Sequence, residues 1–322
     1  MRRLLAFGVV LLLSAVVVPL ALAQDGGFAP VDAESPNADG IRDSFLFVSI
    51  FVGAIFLLVE VTLVVFIWKY RRQRRERFAD GPQIHGATNL ELLWTAVPVV
   101  VLFLIGGFVF YELPGIANVP SAGASGDRID VRVTGRQFYW QYDYENGATA
   151  IDTLRAPAGV PVRLEVTSTD EDVIHSWWIP ALGGKIDAIP GTVTETWFEA
   201  ERPGTYDGQC AELCGVEHAN MLASVQVMDA EEFDGWVAQR AADTSELGEE
   251  EWQGACAKCH GPGGEGGVGP RIGGSPTLTD PEALEDIVRN GRGQMPAVGS
   301  HWSEEQMDAL TTYLRENPPS GG

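Results

Sequence analysis

Residues 210–221 read Cys-Ala-Glu-Leu-Cys-Gly-Val-Glu-His-Ala-Asn-Met, which brings two thiols, an imidazole and a thioether into one short stretch. The candidate ligands Cys210, Cys214, His218 and Met221 are separated by four, four and three positions, so one loop could direct them to a single point. Soft sulfur and imidazole ligands suit copper, and two thiolates can bridge a pair of copper ions. A disulfide or a zinc site would explain the cysteines alone, but zinc rarely binds methionine. The stretch therefore predicts a copper centre.

The residues before this loop have the pattern of a β-sheet domain. Alternating or β-branched runs occupy 129–133, 160–166 and 193–197, and turn residues bound them. Strands at this spacing indicate a sandwich or a barrel. Residues 129–228 are accordingly predicted as an all-β domain. His175, at the end of one run, is the only other histidine in that domain and is a further candidate ligand.

A second motif, Cys256-Ala-Lys-Cys-His260, uses the other two of the four cysteines. Two thiols that flank one helical turn, followed at once by a histidine, form the attachment pattern of a c-type haem. Cys256 and Cys259 would hold the haem covalently, and His260 would bind the iron. Both motifs thus predict one-electron carriers, and no cysteine remains for a disulfide.

The residues around the second motif predict a small all-α domain at 248–317. Asp280 before a proline marks a helix start, Gly291 marks its end, and Ser303 and Gln306 have the spacing of a capping box for a last helix. A domain of about 70 residues buries little apolar surface, and a covalent haem would add to it.

The sixth iron ligand has three candidates after the motif, namely Met295, Met307 and His301. Met295 lies in a loop between two predicted helices, whereas Met307 falls on the apolar face of the last helix and is predicted as core. Histidine and methionine ligation raises the reduction potential of a haem. Met295 is therefore the predicted axial ligand.

Two apolar runs, 45–68 and 92–111, are long enough to cross a bilayer; the first would reach about 36 Å as a helix. Residues 69–91 separate them and begin with six basic residues in nine, which favours the cytoplasmic side for this loop. Both ends of the mature chain are then predicted outside the cell membrane, on the periplasmic side.

The first 23 residues have the basic start, apolar run and small-residue end of a signal peptide, with a plain membrane anchor as the alternative. Residues 24–44 are then an exported segment. Predicted linkers occupy 112–128 and 229–247, and 318–322 form a tail.

The exported part carries all of the chain's net negative charge. Residues 112–322 contain 13 Lys and Arg against 35 Asp and Glu, a net of −22, which equals the net charge of the whole chain. Such a surface repels nucleic acid and attracts a basic protein, so no nucleic-acid partner is expected. Adaptation to salt is the alternative explanation of the acidity.

Four segments resemble subunit II of haem-copper cytochrome c oxidases: 135–144, His175-Ser-Trp, 185–191 and 210–221. The similarity covers roughly residues 40 to 230. It implies a cupredoxin-like sandwich with a dinuclear CuA centre. The implied copper ligands are Cys210, Cys214, His175, His218, Met221 and the backbone carbonyl of Glu212.

Glu212 has a further role in that family, since its side chain reaches a magnesium site shared with subunit I. Nitrous oxide reductase resembles the copper loop too, but it carries a tryptophan between the cysteines and lacks the paired membrane helices. The acidic residue and the two predicted spans favour the oxidase.

Glu91 matches the acidic proton-uptake residue of the family, and the predicted topology places it at the cytoplasmic membrane surface. A carboxylate favoured by the positive end of a helix would explain the position equally well. Glu60 lies deeper in the first apolar run and is expected to face a protein partner rather than lipid.

Phe138 stands where the family usually has the tryptophan that receives electrons from soluble cytochrome c. Phe138 and Trp140 are candidates for electron input, with core packing as the alternative. The fused C-terminal domain resembles a class I cytochrome c, as in caa-type oxidases. Such a tethered donor would not need the usual docking residue, and a flexible linker would supply an effective concentration on the order of millimolar.

The resemblance implies the electron-accepting subunit of an aerobic terminal oxidase in the bacterial inner membrane. Its cofactors would be CuA, covalent haem c and a magnesium ion shared with subunit I. Its partners would be subunits I and III and an external cytochrome or quinol-oxidising complex. A CuA-containing nitric oxide reductase and a membrane-tethered carrier or metal sensor without a catalytic partner are the alternatives.

Overall fold

The computed structural model describes residues 30–71, 81, 83, 85–121, 128–169 and 172–321. The predicted signal peptide and most of the predicted cytoplasmic loop lie outside these residues. The chain divides into two compact units, one formed by residues 39–116 and the other by the remaining described residues.

The first unit contains two long helices, α1 (Pro36–Arg71) and α2 (Thr88–Ala117). Both are apolar and long enough to cross a membrane. The helices extend beyond the predicted apolar runs at both ends. In α1, Asp39 in the first turn and Arg71 in the last turn complement the helix dipole, which stabilises these polar ends.

Within the described residues, ten strands form a β-sandwich. They are β1 (Ile129–Arg136), β2 (Tyr139–Tyr144), β3 (Thr149–Ile151), β4 (Thr153–Pro157), β5 (Val162–Ser168), β6 (His175–Trp178), β7 (Ile186–Ala188), β8 (Thr194–Phe198), β9 (Gly204–Cys210) and β10 (Leu222–Met228). One sheet has the order β3-β2-β1-β5-β8 and the other the order β4-β10-β9-β6-β7. The predicted all-β, cupredoxin-like architecture is confirmed.

Alternating burial explains why these segments form a sandwich. Val162, Leu164 and Val166 of β5 are fully buried while the residues between them are partly exposed. Val166 pairs with Val133 of β1, and Val225 of β10 joins the same core. A period of two places every second side chain on the core face, so the apolar pattern also sets the strand register.

Residues 34 and 37, on either side of the first residue of α1, pack on the sandwich. Asn37 is buried, and its Nδ2 donates to the Trp197 carbonyl of β8 at 2.6 Å. The Glu34 backbone N–H donates to the Ala181 carbonyl at 2.8 Å. The first residues of α1 therefore belong to the same compact unit as the sandwich.

Residues 229–247, predicted as a linker, are mostly helical. Helix α3 (Ala230–Ala242) buries Phe233 and Trp236 in the core of the sandwich, where both rings contact Tyr144. The sequence pattern beyond Met228 is helical and strongly acidic, which agrees with this helix, but it does not show that Phe233 and Trp236 are buried. The expected flexible tether is thus corrected to a packed helix, because burial of two aromatic rings stabilises it.

The following residues form a helical haem domain, defined here as residues 245–316. It contains α4 (Ser245–Glu251), a π-helical turn (Trp252–Cys256), α5 (Ala257–His260), a 3-10 turn (Pro276–Leu278), α6 (Pro281–Asn290) and α7 (Glu304–Glu316). Asp280 caps α6 and Gly291 ends it, and both hydrogen bonds of the predicted Ser303–Gln306 capping box are present. Met307 is buried with Leu310, as predicted. The helix boundaries predicted from capping residues are confirmed.

Candidate copper and haem centres

The copper loop runs from the end of β9 to the start of β10 and is fixed at both ends by backbone hydrogen bonds. Cys210 N–H donates to the Met221 carbonyl at 2.9 Å, and Ala211 N–H donates to the Ser176 carbonyl at 2.8 Å. Trp177, two residues after His175, pairs directly with Cys210. The loop and the first residue of β6 are therefore held side by side.

All six predicted donors lie together in this loop and at the adjoining strand end. The Cys210 and Cys214 sulfurs are 3.9 Å apart. The remaining separations are His175 Nδ1 to Cys210 Sγ 3.9 Å, His218 Nδ1 to Cys214 Sγ 3.6 Å, Met221 Sδ to Cys214 Sγ 3.7 Å, and Glu212 carbonyl O to Cys210 Sγ 3.2 Å. Each of the two thiols thus has one imidazole beside it, and each has one weaker donor.

The donor set fits a copper pair chemically. Cys210, Cys214 and Met221 are buried, and neither cysteine is in a disulfide. The hydrogen bond between the two thiols lowers the pKa of Cys210 far below its usual value and raises the pKa of Cys214. Two adjacent thiols do not both ionise readily unless a cation is near them. A positively charged metal centre supplies that cation, because metal binding replaces the two protons.

His175 is held by residues that the sequence analysis did not single out. Its Nε2 lies 3.6 Å from Asp172 Oδ1, which leaves Nδ1 directed at Cys210. Although burial opposes it, the neighbouring Asp172 carboxylate and Cys210 thiol raise the pKa of His175. A β-carbon at Gly135 would lie 3.0 Å from the imidazole, so the glycine allows the ring to pack against β1. Carboxylate support of a ligating imidazole is a common way to fix its orientation.

Phe138 and Trp140 are both buried next to the copper loop. A β-carbon at Gly215 would lie 2.9 Å from the Phe138 ring, which therefore packs directly against the loop. The Trp140 ring lies edge-on to His175, with 6.0 Å between ring centroids. Phe138 and Trp140 are therefore core residues and also neighbours of the copper donors.

The Cys256–His260 segment fits a covalent haem. Cys256 lies at the end of the π-helical turn, Cys259 is partly exposed, and His260 is buried at the end of α5. His260 Nδ1 lies 2.7 Å from the Pro270 carbonyl, and donation of its proton there leaves Nε2 as the free ligand atom. Such a second hydrogen bond fixes both the tautomer and the ring orientation of a ligating histidine.

The three candidates for the sixth ligand lie in different environments. Met295 is partly buried in a tight turn between α6 and α7, where its N–H donates to the Arg292 carbonyl at 3.1 Å, and it packs against the haem-domain core. His301 is exposed and Met307 is inside the core. Of the three, Met295 alone combines a loop position with contact to the core.

Glu251 at the end of α4 is a buried carboxyl that the sequence did not reveal. Burial raises its pKa well above the usual value, although Gln306 and Arg240 act in the opposite direction. A raised pKa means that the folded chain binds the proton more tightly than the unfolded chain. Stability is therefore full below the unfolded pKa and falls as the pH rises towards the folded pKa.

We expect Glu251→Gln to flatten this pH dependence and to stabilise the chain above neutral pH. In the parent chain the free energy of unfolding should fall by up to about 1.4 kcal/mol per pH unit within the window. Denaturation of the haem-loaded chain from about pH 5 to 8 measures the slope. Glu316→Gln, at an exposed site, is the matched control. An unchanged slope in Glu251→Gln would contradict the assignment.

The three acidic residues singled out in the sequence, Glu91, Glu60 and Glu212, lie on different elements of the fold. Glu91 is in the first turn of α2, and its Oε1 accepts from the Ala87 N–H at 3.1 Å. Glu60 is in the middle part of α1. The side chain of Glu212 is exposed on the copper loop.

Three family models match the chain. They are "Cytochrome C oxidase subunit II, transmembrane domain" over residues 23–111, "Cytochrome C oxidase subunit II, periplasmic domain" over 149–228, and "Cytochrome C oxidase, cbb3-type, subunit III" over 243–314. The periplasmic-domain family implies CuA copper, and the third family implies haem c. The resemblance seen in the sequence is thus confirmed, including the C-terminal cytochrome c domain.

Several known proteins are similar to the chain. Cytochrome c oxidase subunit 2 of Alkalihalophilus pseudofirmus is 33% identical over 88% of this chain and 89% of the relative. Cytochrome c oxidase subunit 2 of Cereibacter sphaeroides is 33% identical over 70% of this chain and 84% of the relative. The crystal structure of the periplasmic domain of subunit II of cytochrome oxidase of Bradyrhizobium japonicum is 35% identical and covers 39% of this chain and 98% of that chain, with a TM-score of 0.36. The chain belongs to the cytochrome c oxidase subunit II family.

Proposed function

We propose that this chain accepts electrons from a cytochrome c-type donor on its own haem c and passes them through CuA to subunit I, which reduces oxygen to water with proton translocation. The observation that carries the proposal is the meeting of six copper donors, five in the segment Cys210–Met221 and one, His175, at the start of β6. The haem-attachment motif belongs to the same compact unit of the fold. Two one-electron sites in one unit suit transfer within the chain.

The residues of the copper loop have separate tasks in this proposal. The thiolates of Cys210 and Cys214 would hold the copper together with His175, His218, Met221 and the Glu212 carbonyl. A mixed sulfur and nitrogen copper pair supplies reversible one-electron transfer. Burial of the sulfurs excludes water, and Asp172 keeps the His175 ring in place. Because the ligands are held rigidly and water is excluded, few atoms move when the charge of the copper centre changes.

The residues of the haem domain determine the potential at which electrons arrive. Cys256 and Cys259 would attach the haem, and His260, through Nε2, and Met295 would be the ligands of its iron. Haem c provides the electron-accepting iron, and a methionine ligand raises its potential. The Pro270 carbonyl holds the His260 ring in the required orientation.

The proposed topology rests on the basic stretch between the two apolar runs. Residues 69–77 contain six basic residues in nine. Such a stretch favours the cytoplasmic side of the membrane, which would put the sandwich and the haem domain on the periplasmic side.

The partners follow from the same placement. Subunit I would receive the electron from the copper loop and share a magnesium ion with Glu212, and subunit III would complete the complex. An external cytochrome or a quinol-oxidising complex would be the donor. The net charge of −22 favours a donor with a basic surface.

Glu91 is proposed as a proton-uptake residue at the cytoplasmic end of α2. We expect Glu91→Ala to slow proton uptake by the complex at least about tenfold, because a titrating group near the reaction path is lost. Reduction of haem c and CuA should remain normal. Flow measurements of proton uptake and of the two absorption spectra separate these effects.

Glu91→Gln is the matched control, because an amide keeps an acceptor for the Ala87 N–H and cannot carry the proton. The proton role predicts that both variants are slow. Normal proton uptake in Glu91→Gln would show that the residue serves only as a helix cap.

The purified complex tests the proposed function against its closest chemical alternative. Oxygen and nitric oxide consumption are measured with the same reduced donor. We expect oxygen consumption to exceed nitric oxide consumption by a large factor. Faster nitric oxide consumption would identify a nitric oxide reductase instead, and consumption of neither substrate would favour an electron carrier.

A further inference from the structure

Lys258 lies between the two haem-attachment cysteines and contacts the β-sandwich directly. Its Nζ donates to the Phe138 carbonyl at 3.0 Å and to Asp152 Oδ2 at 2.5 Å. The lysine side chain is 15% exposed and the aspartate side chain 26%, so the pair is largely shielded from water. The turn that would hold the haem is therefore bonded to the start of β2 and to the residue between β3 and β4.

One chain of contacts leads from Lys258 through Phe138 to the copper loop. The Phe138 ring packs against Gly215, where a β-carbon would lie 2.9 Å from the ring. The neighbouring Gln137 donates from Nε2 to the Cys214 carbonyl at 2.8 Å. The segment that accepts the hydrogen bond of Lys258 is thus bonded to a predicted copper ligand.

A second chain of contacts leads from Lys258 through Asp152 to the other side of the copper site. Asp152 Oδ1 accepts from the Trp140 backbone N–H at 2.9 Å. The Trp140 ring then lies edge-on to His175, with an interplanar angle of 67°. Both chains of contacts begin at Lys258 and end at predicted copper ligands.

Asp152 is held in place more firmly than an ordinary surface aspartate. Its φ of +58° is in the left-handed region, which residues other than glycine occupy at a cost in free energy. Its N–H donates to the Trp140 carbonyl at 2.8 Å, and its carbonyl accepts from Ser224 N–H at 2.9 Å. The backbone therefore fixes the carboxylate that receives Lys258.

The haem domain has a second attachment to the sandwich that does not depend on this ion pair. Trp302 Nε1 donates to the Tyr139 hydroxyl at 2.8 Å, and that hydroxyl donates to the Val298 carbonyl at 2.6 Å. Tyr139 is fully buried within the haem-domain core. Loss of Lys258 should consequently release the haem-attachment turn without detaching the whole domain.

We propose that Lys258 is a positioning residue for electron transfer within this chain, because its bonds to Phe138 and Asp152 hold the haem-attachment turn beside the copper loop. The proposal rests on the order of transfer from haem to copper given above. Each transfer oxidises one ferrous iron to ferric and adds one electron to the copper pair. No proton or co-reactant is needed for the balance.

The test uses the purified complex with both centres loaded. After pulsed photochemical reduction of the haem, the rate at which the electron reaches copper is followed in the haem and copper absorption bands. We expect Lys258→Met to slow this step at least about tenfold, which corresponds to about 1.4 kcal/mol of positioning free energy. Arg315→Met removes the same charge from an exposed site of the same domain and should leave the rate unchanged.

A double variant, Lys258→Met with Asp152→Asn, covers the case in which the unpaired carboxylate alone prevents folding. It removes both charges and should show the same slow transfer. Pulsed electron paramagnetic resonance on the oxidised complex gives the distribution of iron-to-copper distances without turnover. We expect a broader distribution in both variants, with the haem potential unchanged.

The outcomes separate this proposal from the proposed function. Absence of haem-to-copper transfer in the parent complex would refute the function itself. Fast transfer in the parent with unchanged rates and distances in both variants would refute only the role of Lys258. A slow variant whose haem potential has shifted would also overturn it, because driving force would then explain the rate.

Discussion

Cys214→Ser is expected to abolish copper binding in the loop while the haem spectrum remains intact. Cys214 lies within 3.9 Å of three other predicted donors, so its sulfur is the centre of the site. Changes in residues that only support metal ligands cost about 10–100-fold in affinity, and loss of a bridging thiolate should exceed that range. Metal analysis and the copper electron paramagnetic resonance signal measure the loss directly.

Leu213→Ser is the matched control, because it introduces the same side chain at the neighbouring, exposed position. It should keep the full copper content. A copper signal that persists in Cys214→Ser would show that the predicted ligand set is incorrect. Simultaneous loss of the haem spectrum would instead indicate a folding defect.

Met295→Ala is expected to lower the haem reduction potential by on the order of 100 mV, within the range of about 0.8 V that axial ligands cover. A thioether ligand favours ferrous iron, and alanine supplies no ligand atom. Redox titration of the haem absorption measures the change. The lower potential should also shift the equilibrium of electrons towards copper.

Met307→Leu is the control for this prediction, since it keeps the volume of a buried side chain and is not a candidate ligand by position. Its potential should match that of the parent chain. An unchanged potential in Met295→Ala, together with a shift in His301→Ala, would transfer the axial role to His301.

Local patterns in the sequence were sufficient to predict most of the fold. The alternating burial of β5 and the helix caps at Asp280 and Ser303 depend only on residues close in sequence. The structure contains all three features as predicted. The helix at 230–242 differs, because its formation depends on where Phe233 and Trp236 pack. The sequence of this segment indicates an acidic helix. It does not indicate that the two aromatic side chains pack in the core of the neighbouring domain.

The functional sites also contain some features that local sequence patterns predict and others that depend on contacts between distant residues. The copper and haem motifs are predictable because their ligands are close in sequence and chemically unusual. Asp172 and Gly135 support His175 through contacts across strands, and neither residue type is distinctive alone. The ion pair of Lys258 with Asp152 joins residues 106 positions apart, so no local pattern predicts it.

Rapid mixing of the oxidised complex with a reduced cytochrome c-type donor tests the order of electron transfer from haem to copper. The haem and copper absorption bands are recorded together through the first turnover. We expect the haem to be reduced first and copper to gain its electron as the haem is reoxidised. Reduction of copper before the haem, or at the same rate in a complex whose haem cannot be reduced, would contradict it.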